Sequence, residues 1–490
     1  MMNNSFRLAV FSCCLVGTFA HSTEPAGQTT KGTSLWLEQL TQPIRSREAK
    51  FESAASCAST ACHGGPRAGI GKPLATRGSE YPLWLENDPH AQSWRTLCSE
   101  ASVTMLERLR VMRDGKVVDA AAFDNCLACH NTTTNQNHEF QAEGVGCASC
   151  HGPSEQWRAD HYRVAREDSA SSQCGMIPNK NLLARARTCA ACHVGDSDRD
   201  MNHDIIAAGH PALHYEFAAF HNMLPKHWRE SSSEDFESQL WLAGQIVALD
   251  ASLALLEARA SKSHSISTWP EFAASDCSAC HQNLRIASED YSSPAQGAAS
   301  LSIWNRFGLE QLLNLNRVER RPSGPGEELA LKVSELSQLM STGGTSNRLE
   351  VAQTARSARI ALDHWLKSSG GELQAFNASR LRHLAATSML DPSEHNRWEF
   401  TAQAYLAAIA ARQSWKASTS TITEAKRLQS GLLFKPSSNS ISLADEPSRE
   451  VAESIAGLAQ SLGLPQKTDF LRIREPVALP LEAVRLPIQE

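Results

Sequence analysis

Four stretches of the chain read Cys-x-x-Cys-His: Cys126 to His130, Cys147 to His151, Cys189 to His193 and Cys277 to His281. A fifth, Cys57 to His63, has two extra residues between Cys57 and Cys62. The pattern is the attachment signature of c-type haem. Two thiols one turn apart reach the two vinyl groups of a porphyrin as thioethers, and the His that follows sits beneath the iron as its proximal ligand. By chance the triplet would arise roughly 0.01–0.02 times in a chain of this composition, so four copies are not accidental. The wider motif can close on the same vinyls, and Gly64-Gly65 follows it. The thioether residues are then Cys57, Cys62, Cys126, Cys129, Cys147, Cys150, Cys189, Cys192, Cys277 and Cys280. The proximal ligands are His63, His130, His151, His193 and His281, and the implied cofactor is haem c, five times over. Zinc would draw four ligands from two such pairs, and a thioredoxin-like Cys-x-x-Cys needs no following His. Neither rival explains a His attached to every pair.

The remaining histidines decide what each iron can do. An iron between two imidazoles is closed and suited to passing electrons, whereas an iron with one can bind a small molecule. His90 (in Asp88-Pro89-His90-Ala91-Gln92-Ser93-Trp94), His161 after the third motif, and His203 and His210 after the fourth stand out as distal candidates. His214, His221, His227 and His138 are weaker ones. His21, His264, His364, His383 and His395 read as solvated or structural, and Met176, Met201 and Met223 have no distinguishing context. Four distal candidates for five irons leave room for one open haem. The leading reading is a periplasmic carrier that passes electrons between redox proteins. The alternative is a multihaem reductase or oxidase of a small nitrogen or sulfur compound at a five-coordinate haem. No motif ends in Lys instead of His, and only five Tyr are present, none set to cross-link a haem.

The elements that must position these groups read as helices and long loops, giving a mainly α fold. Aromatic residues make up only 6% of the chain, so in the haem region the porphyrins are expected to supply much of the apolar core. Residues 1–20 read as a signal peptide, with Arg7 ahead of an apolar run from Leu8 to Phe19 and a fair cleavage site at Ala20. Residues 21–50 form a polar lead with a short helix around Leu35–Leu40. Residues 51–285 hold every motif and read as the pentahaem domain. Residues 286–345 are connecting helices and loops, and 346–490 a haem-free helical region ending in an extended, Pro-rich tail. Leu242, Ile246, Leu249, Leu253 and Leu256 make one apolar helical stripe, either a haem wall or ordinary helix packing. Trp398, Ala402, Tyr405 and Ile409 make another, and Arg348 to Lys367 suits a helix.

The formal charge is −6 with no basic run. Nucleic acid is therefore an unfavoured partner, and a redox protein with a positive patch a favoured one. No integral membrane segment is expected after signal cleavage. Outside the motifs and the apolar leader, Cys98 and Cys174 remain. An oxidising compartment would favour bridging them, the alternative being two independent buried thiols.

Residues 57–193 resemble a known family. The order is a first motif, a His in an Asp-Pro-His-Ala turn, Cys126 to His130, the block Gly144-Val145-Gly146-Cys147-Ala148-Ser149-Cys150-His151-Gly152-Pro153, Asp160-His161, and Cys189 to His193. This is similar to the cytochrome c-554 family, tetrahaem electron carriers associated with hydroxylamine oxidoreductase. The resemblance implies an exported, mostly helical array of closely stacked porphyrins, with His90 and His161 as distal ligands. It further implies that the haem on His130 lacks a distal residue. The chain departs from the family in its longer first motif, its fifth motif and everything beyond residue 285.

Overall fold

The computed structural model describes residues 35–40, 50–65, 78–132, 143–159, 161–162, 174–228, 230–231, 233–261, 269–275, 302–318, 324–341, 347–368, 376–388 and 398–413. Helix follows helix through them. In chain order these are α1 (Trp36–Gln39), α2 (Glu80–Asn87), α3 (Ser93–Leu97), α4 (Glu100–Arg108), α5 (Asp124–His130), α6 (Cys147–His151), α7 (Leu182–His193) and α8 (His203–Ala208). There follow α9 (Phe217–Met223), α10 (Phe236–Ser261), α11 (Ile303–Val318), α12 (Pro325–Ser341), α13 (Arg348–Ser368), α14 (Ala378–Ser388) and α15 (Trp398–Gln413). Among the described residues the strands are β1 (Met112–Arg113) and β2 (Lys116–Val117), an antiparallel pair with Met112 opposite Val117. The fold is mainly α, as the sequence leads one to expect. The signal segment and the Pro-rich tail lie outside the described residues.

The expected stripe on α10 is real but understates the helix. Leu240, Trp241, Val247, Leu249 and Leu253 are all fully buried, and apolar residues cover every face. A helix apolar all round must be enclosed. Here α7 and α9 pack on it from the motif-bearing region, and α11, α13, α14 and α15 from the C-terminal region. This helix is long and apolar enough to cross a membrane, but in the fold it is the centre of the core. Phe307, Leu336, Trp365, Phe376 and Leu406 share one hydrophobic cluster with it. Burying each such side chain contributes about 1.5–3 kcal/mol. The Trp398 helix likewise buries Phe400, Leu406 and Ala410 beside the expected Ala402, Tyr405 and Ile409. The disappearance of Cys-His motifs after residue 285 thus marks a change of composition, and the packing is continuous across it.

Two charges inside this core tie its parts together. Asp250, in the middle of α10, is 1% exposed and accepts hydrogen bonds from Arg187 of α7 and, at 2.9 Å, from Arg359 of α13. Arg359 also donates to Glu257 (3.0 Å) and to Glu38 of α1 (2.7 Å). The same end of α1 is fixed a second time, where the Trp36 N–H donates to Asp363 at 2.8 Å. Burial opposes ionisation of Asp250, but the two guanidiniums outweigh it and hold the carboxyl below its usual range.

The motif helices are short and end on their histidines. Helix α5 closes at His130, α6 at His151 and α7 at His193. Helix α7 is capped by the Asn181 side chain, which accepts from Leu183 and Ala184 N–H. After His151 the chain turns through Gly152 at φ +89°, where a Cβ would collide with the Gly175 carbonyl oxygen. That close approach lets Ile177 N–H reach the His151 carbonyl at 2.9 Å and Asn179 reach the Cys150 carbonyl at 2.8 Å. The Gly of the Cys-His-Gly-Pro block is there for this turn.

Asp250→Ala should lower unfolding stability by about 3–5 kcal/mol, because two buried guanidiniums lose their shared partner; denaturant titration measures it. The advantage of wild type over Asp250→Asn should persist from neutral pH down to about pH 4, the ordinary carboxylate range. It should shrink below that, since the unfolded chain takes up its proton before the folded carboxylate does. Gly152→Ala should cost about 2–3 kcal/mol, the scale of a side chain held at positive φ, seen as a lower denaturation midpoint.

Candidate functional site

Four motif histidines each face one other imidazole. His63 and His161 have ring centres 6.0 Å apart with planes at 14°. His193 and His90 are 6.2 Å apart at 79°, His130 and His210 6.3 Å at 83°, and His151 and His227 6.1 Å at 53°. Ordinary aromatic contacts also span about 4.5–7 Å, so it is the pairing of a motif imidazole with a second imidazole, four times over, that marks these contacts. An iron bound axially by two imidazoles at about 2.0 Å per metal–nitrogen bond sets the ring centres about 6.3 Å apart. All four pairs have the spacing of two axial ligands, whatever the angle between their planes. Among the described residues no three His, Cys, Asp or Glu side chains converge as a closed metal site requires. The donors brought together are imidazole pairs with motif thiols nearby, a set that fits haem c.

Hydrogen bonds decide which ring nitrogen is available. His63 Nδ1 lies 3.0 Å from a Glu80 carboxylate oxygen, and His90 Nδ1 2.9 Å from Asp88. His130 Nδ1 lies 3.0 Å from the Ser93 carbonyl and 3.0 Å from Thr96 Oγ1. His161 Nδ1 is 2.7 Å from the Arg158 carbonyl and His210 Nδ1 2.8 Å from the Pro211 carbonyl. Carbonyls and carboxylates only accept, so Nδ1 carries the proton and Nε2 keeps its lone pair for a metal. Burial pushes His151 down to about 4 and His193 to about 3, with neighbouring imidazoles adding to the effect. It also lowers His130 and His227. These rings are neutral at physiological pH, the form that binds iron. Burial works against charge on His90 too, but Asp88 outweighs it and the net shift is upward.

Local structure explains these positions. The Asp88 side chain caps the turn Pro89–Gln92 through His90 N–H while holding the His90 ring. Ser93 Oγ sits within hydrogen-bonding distance of the His90 and His130 carbonyls (2.7 and 2.9 Å) and accepts from Val145 N–H at 3.1 Å. One hydroxyl thus joins the His90 turn, the end of the second motif and the start of the third. Arg199 Nε donates to the Ala128 carbonyl at 2.8 Å, joining the second motif to the chain after the fourth.

The thiols also come together across motifs. Cys57 lies beside Cys147, and Cys129 beside Cys192. Each close pair splits its thiols, Cys57 and Cys192 shifted down and Cys147 and Cys129 up. Burial raises Cys150, Cys126 and, to about 12, Cys189. Cys62 is exposed. The first and third motifs are thus neighbours, and so are the second and fourth. Cys98 is a free, exposed thiol, so the bridge to Cys174 does not form.

Of the distal candidates, His90, His161 and His210 each face a motif histidine. His203 is placed by its N–H, held by Glu271 at 2.8 Å, and its ring meets Phe272 edge-on at 5.8 Å. Cys277, Cys280 and His281 lie outside the described residues. The resemblance implied an open face at His130, whereas the His210 ring stands opposite it. Sequence reasoning undervalued His227. It sits among three closely spaced histidines with no spacing to single it out, and counting one imidazole per motif was the available signal. Its neighbour His221 is buried, 2.9 Å from Arg185 Nη1, and pushed down to about 3 by burial. It faces Trp228 and Phe236 instead of a motif histidine.

The family described as Cytochrome c554 and c-prime matches residues 61–152, from within the first motif to just past the third. A curated relative, Cytochrome c-554 of Nitrosomonas europaea, is 27% identical over 124 residues, 21% of this chain and 52% of its own. The chain thus spans about half the length of that relative. No solved structure matches the chain. Through residues 61–152 the chain is similar to the cytochrome c-554 family.

Proposed function

We propose that the chain is an exported multihaem c-type cytochrome that relays electrons between redox proteins, with haem c at each of its five motifs. The observation that carries this reading is the repeated spacing of 6.0–6.3 Å between a motif imidazole and a second one. When bound, haem supplies a one-electron couple whose potential follows its ligands and burial. Each motif's two thiols would hold a porphyrin and its His would lie beneath the metal. His161, His90 and His227 would complete the axial sets of His63, His193 and His151. His203, held by Glu271 shortly before the fifth motif, is the candidate partner of His281. The apolar leader supports a periplasmic location, and the acidic balance supports a partner with a basic docking face.

The chain's own residues would tune the relay. Glu80 and Asp88 draw on the Nδ1 protons of His63 and His90 and make those imidazoles stronger donors, which favours the oxidised metal. Backbone carbonyls do the same more weakly for His130, His161 and His210. A gradient between carboxylate-backed and carbonyl-backed sites gives electrons a preferred direction.

Mass spectrometry of the mature polypeptide should show five haem additions, and a bare or zinc-loaded mass would overturn the reading. Asp88→Asn should raise the midpoint potential of one centre by about 60 mV, one decade in the relative affinity for the two oxidation states. Spectroelectrochemical titration resolves this shift.

A further inference from the structure

We propose that His210 closes the iron carried by the second motif, leaving no exchangeable position there. The inference rests on the haem reading above and concerns the one site at which the family resemblance implied an open iron.

Both rings of this pair are held by restraints independent of each other. His130 ends α5, and its Nδ1–H is fixed by the Ser93 carbonyl and Thr96 Oγ1, both at 3.0 Å. That leaves Nε2 as its ligand atom. His210 is placed by the end of α8. Gly209 takes φ +126° and reverses the chain, while His210 N–H returns to the Ile205 carbonyl at 3.2 Å. This is a helix stop built on a left-handed residue. Arg108 of α4 donates to the Ala208 carbonyl at 2.9 Å and anchors that helix end. The Nδ1–H of His210 is engaged by the Pro211 carbonyl at 2.8 Å. The available Nε2 of His210 belongs to a ring 6.3 Å from that of His130, the separation two axial ligands adopt. Two contacts thus fix the backbone on either side of Gly209, and a third fixes the His210 ring itself. A closed second site disfavours turnover of a small molecule there and assigns the iron to electron passage.

The test uses the haem-loaded full chain, ferric, as wild type and His210→Ala. Electron paramagnetic resonance and cyanide titration are the readouts, with haem content checked by mass. The proposal expects His210→Ala to keep its haems, gain one high-spin centre per molecule and bind one more equivalent of cyanide than wild type. Added imidazole should return that centre to low spin. His210→Met, which offers a thioether from the same position, should stay low-spin and gain a sulfur–iron charge-transfer band on one haem; it serves if the alanine variant does not fold. Full haem content with spin state and cyanide stoichiometry unchanged in the alanine variant, or no sulfur band in the methionine variant, overturns the proposal and leaves the haem reading standing. A mass without haem overturns the haem reading itself.

Discussion

The fold turns on a carboxylate that has no access to water. Asp250 sits at the middle of the most enclosed helix, between Arg187 and Arg359. A buried ion pair of this kind adds little net stability over apolar packing but fixes which surfaces can meet, since every mispacked arrangement strands a charge. Arg187 lies on the helix that ends in His193, so the pair sets the rotation of that helix about its axis. Arg359 carries the same constraint outward to Glu38 and Glu257. The haem-free helices thereby act as a jig for a motif-bearing one. This gives the C-terminal region a role within the protein.

Around the imidazoles the supporting contacts come from two sources. Some are local and cheap: the Arg158 carbonyl for His161 and the Pro211 carbonyl for His210 lie within a turn of the ring they hold. Others reach across the chain, as Glu80 does to His63 and Ser93 to His130. Local support fixes a ring on its own loop, whereas distant support fixes one element against another. The site uses both, so the rings of His63, His130, His161 and His210 are oriented and the loops that carry them are registered to one another.

Legibility in the sequence follows how local the cause is. The Cys-His motifs, α1 and α13 were readable because their signals lie within a few residues. The enclosure of α10 was half readable: the leucine stripe showed, but Trp241 on another face stacks on Phe376, far along the chain. His90 and His161 stood out through their turns. His227 did not, because its selection over His221 depends on Arg185 and Trp228 occupying the latter's surroundings. Cys98 and Cys174 stayed open between a bridge and two thiols, because subtraction says which cysteines are left over and nothing about distance. The tie between Asp250 and two arginines has no sequence signature at all.

The pairing of imidazoles is also a statement about connectivity. His63 meets His161, His90 meets His193, His130 meets His210 and His151 meets His227. Under the proposed ligation each metal staples together points separated by about 75–105 residues of chain, and the four loops interpenetrate. Closing a loop near that length removes about 4–5 kcal/mol of disorder from the unfolded polypeptide when the link is permanent. An imidazole–iron bond is breakable, so it gives a share of that, but repeatedly. Cofactor insertion would then be part of how the chain reaches its shape, with the His90 site completed only once the segment ending in His193 has been made and exported.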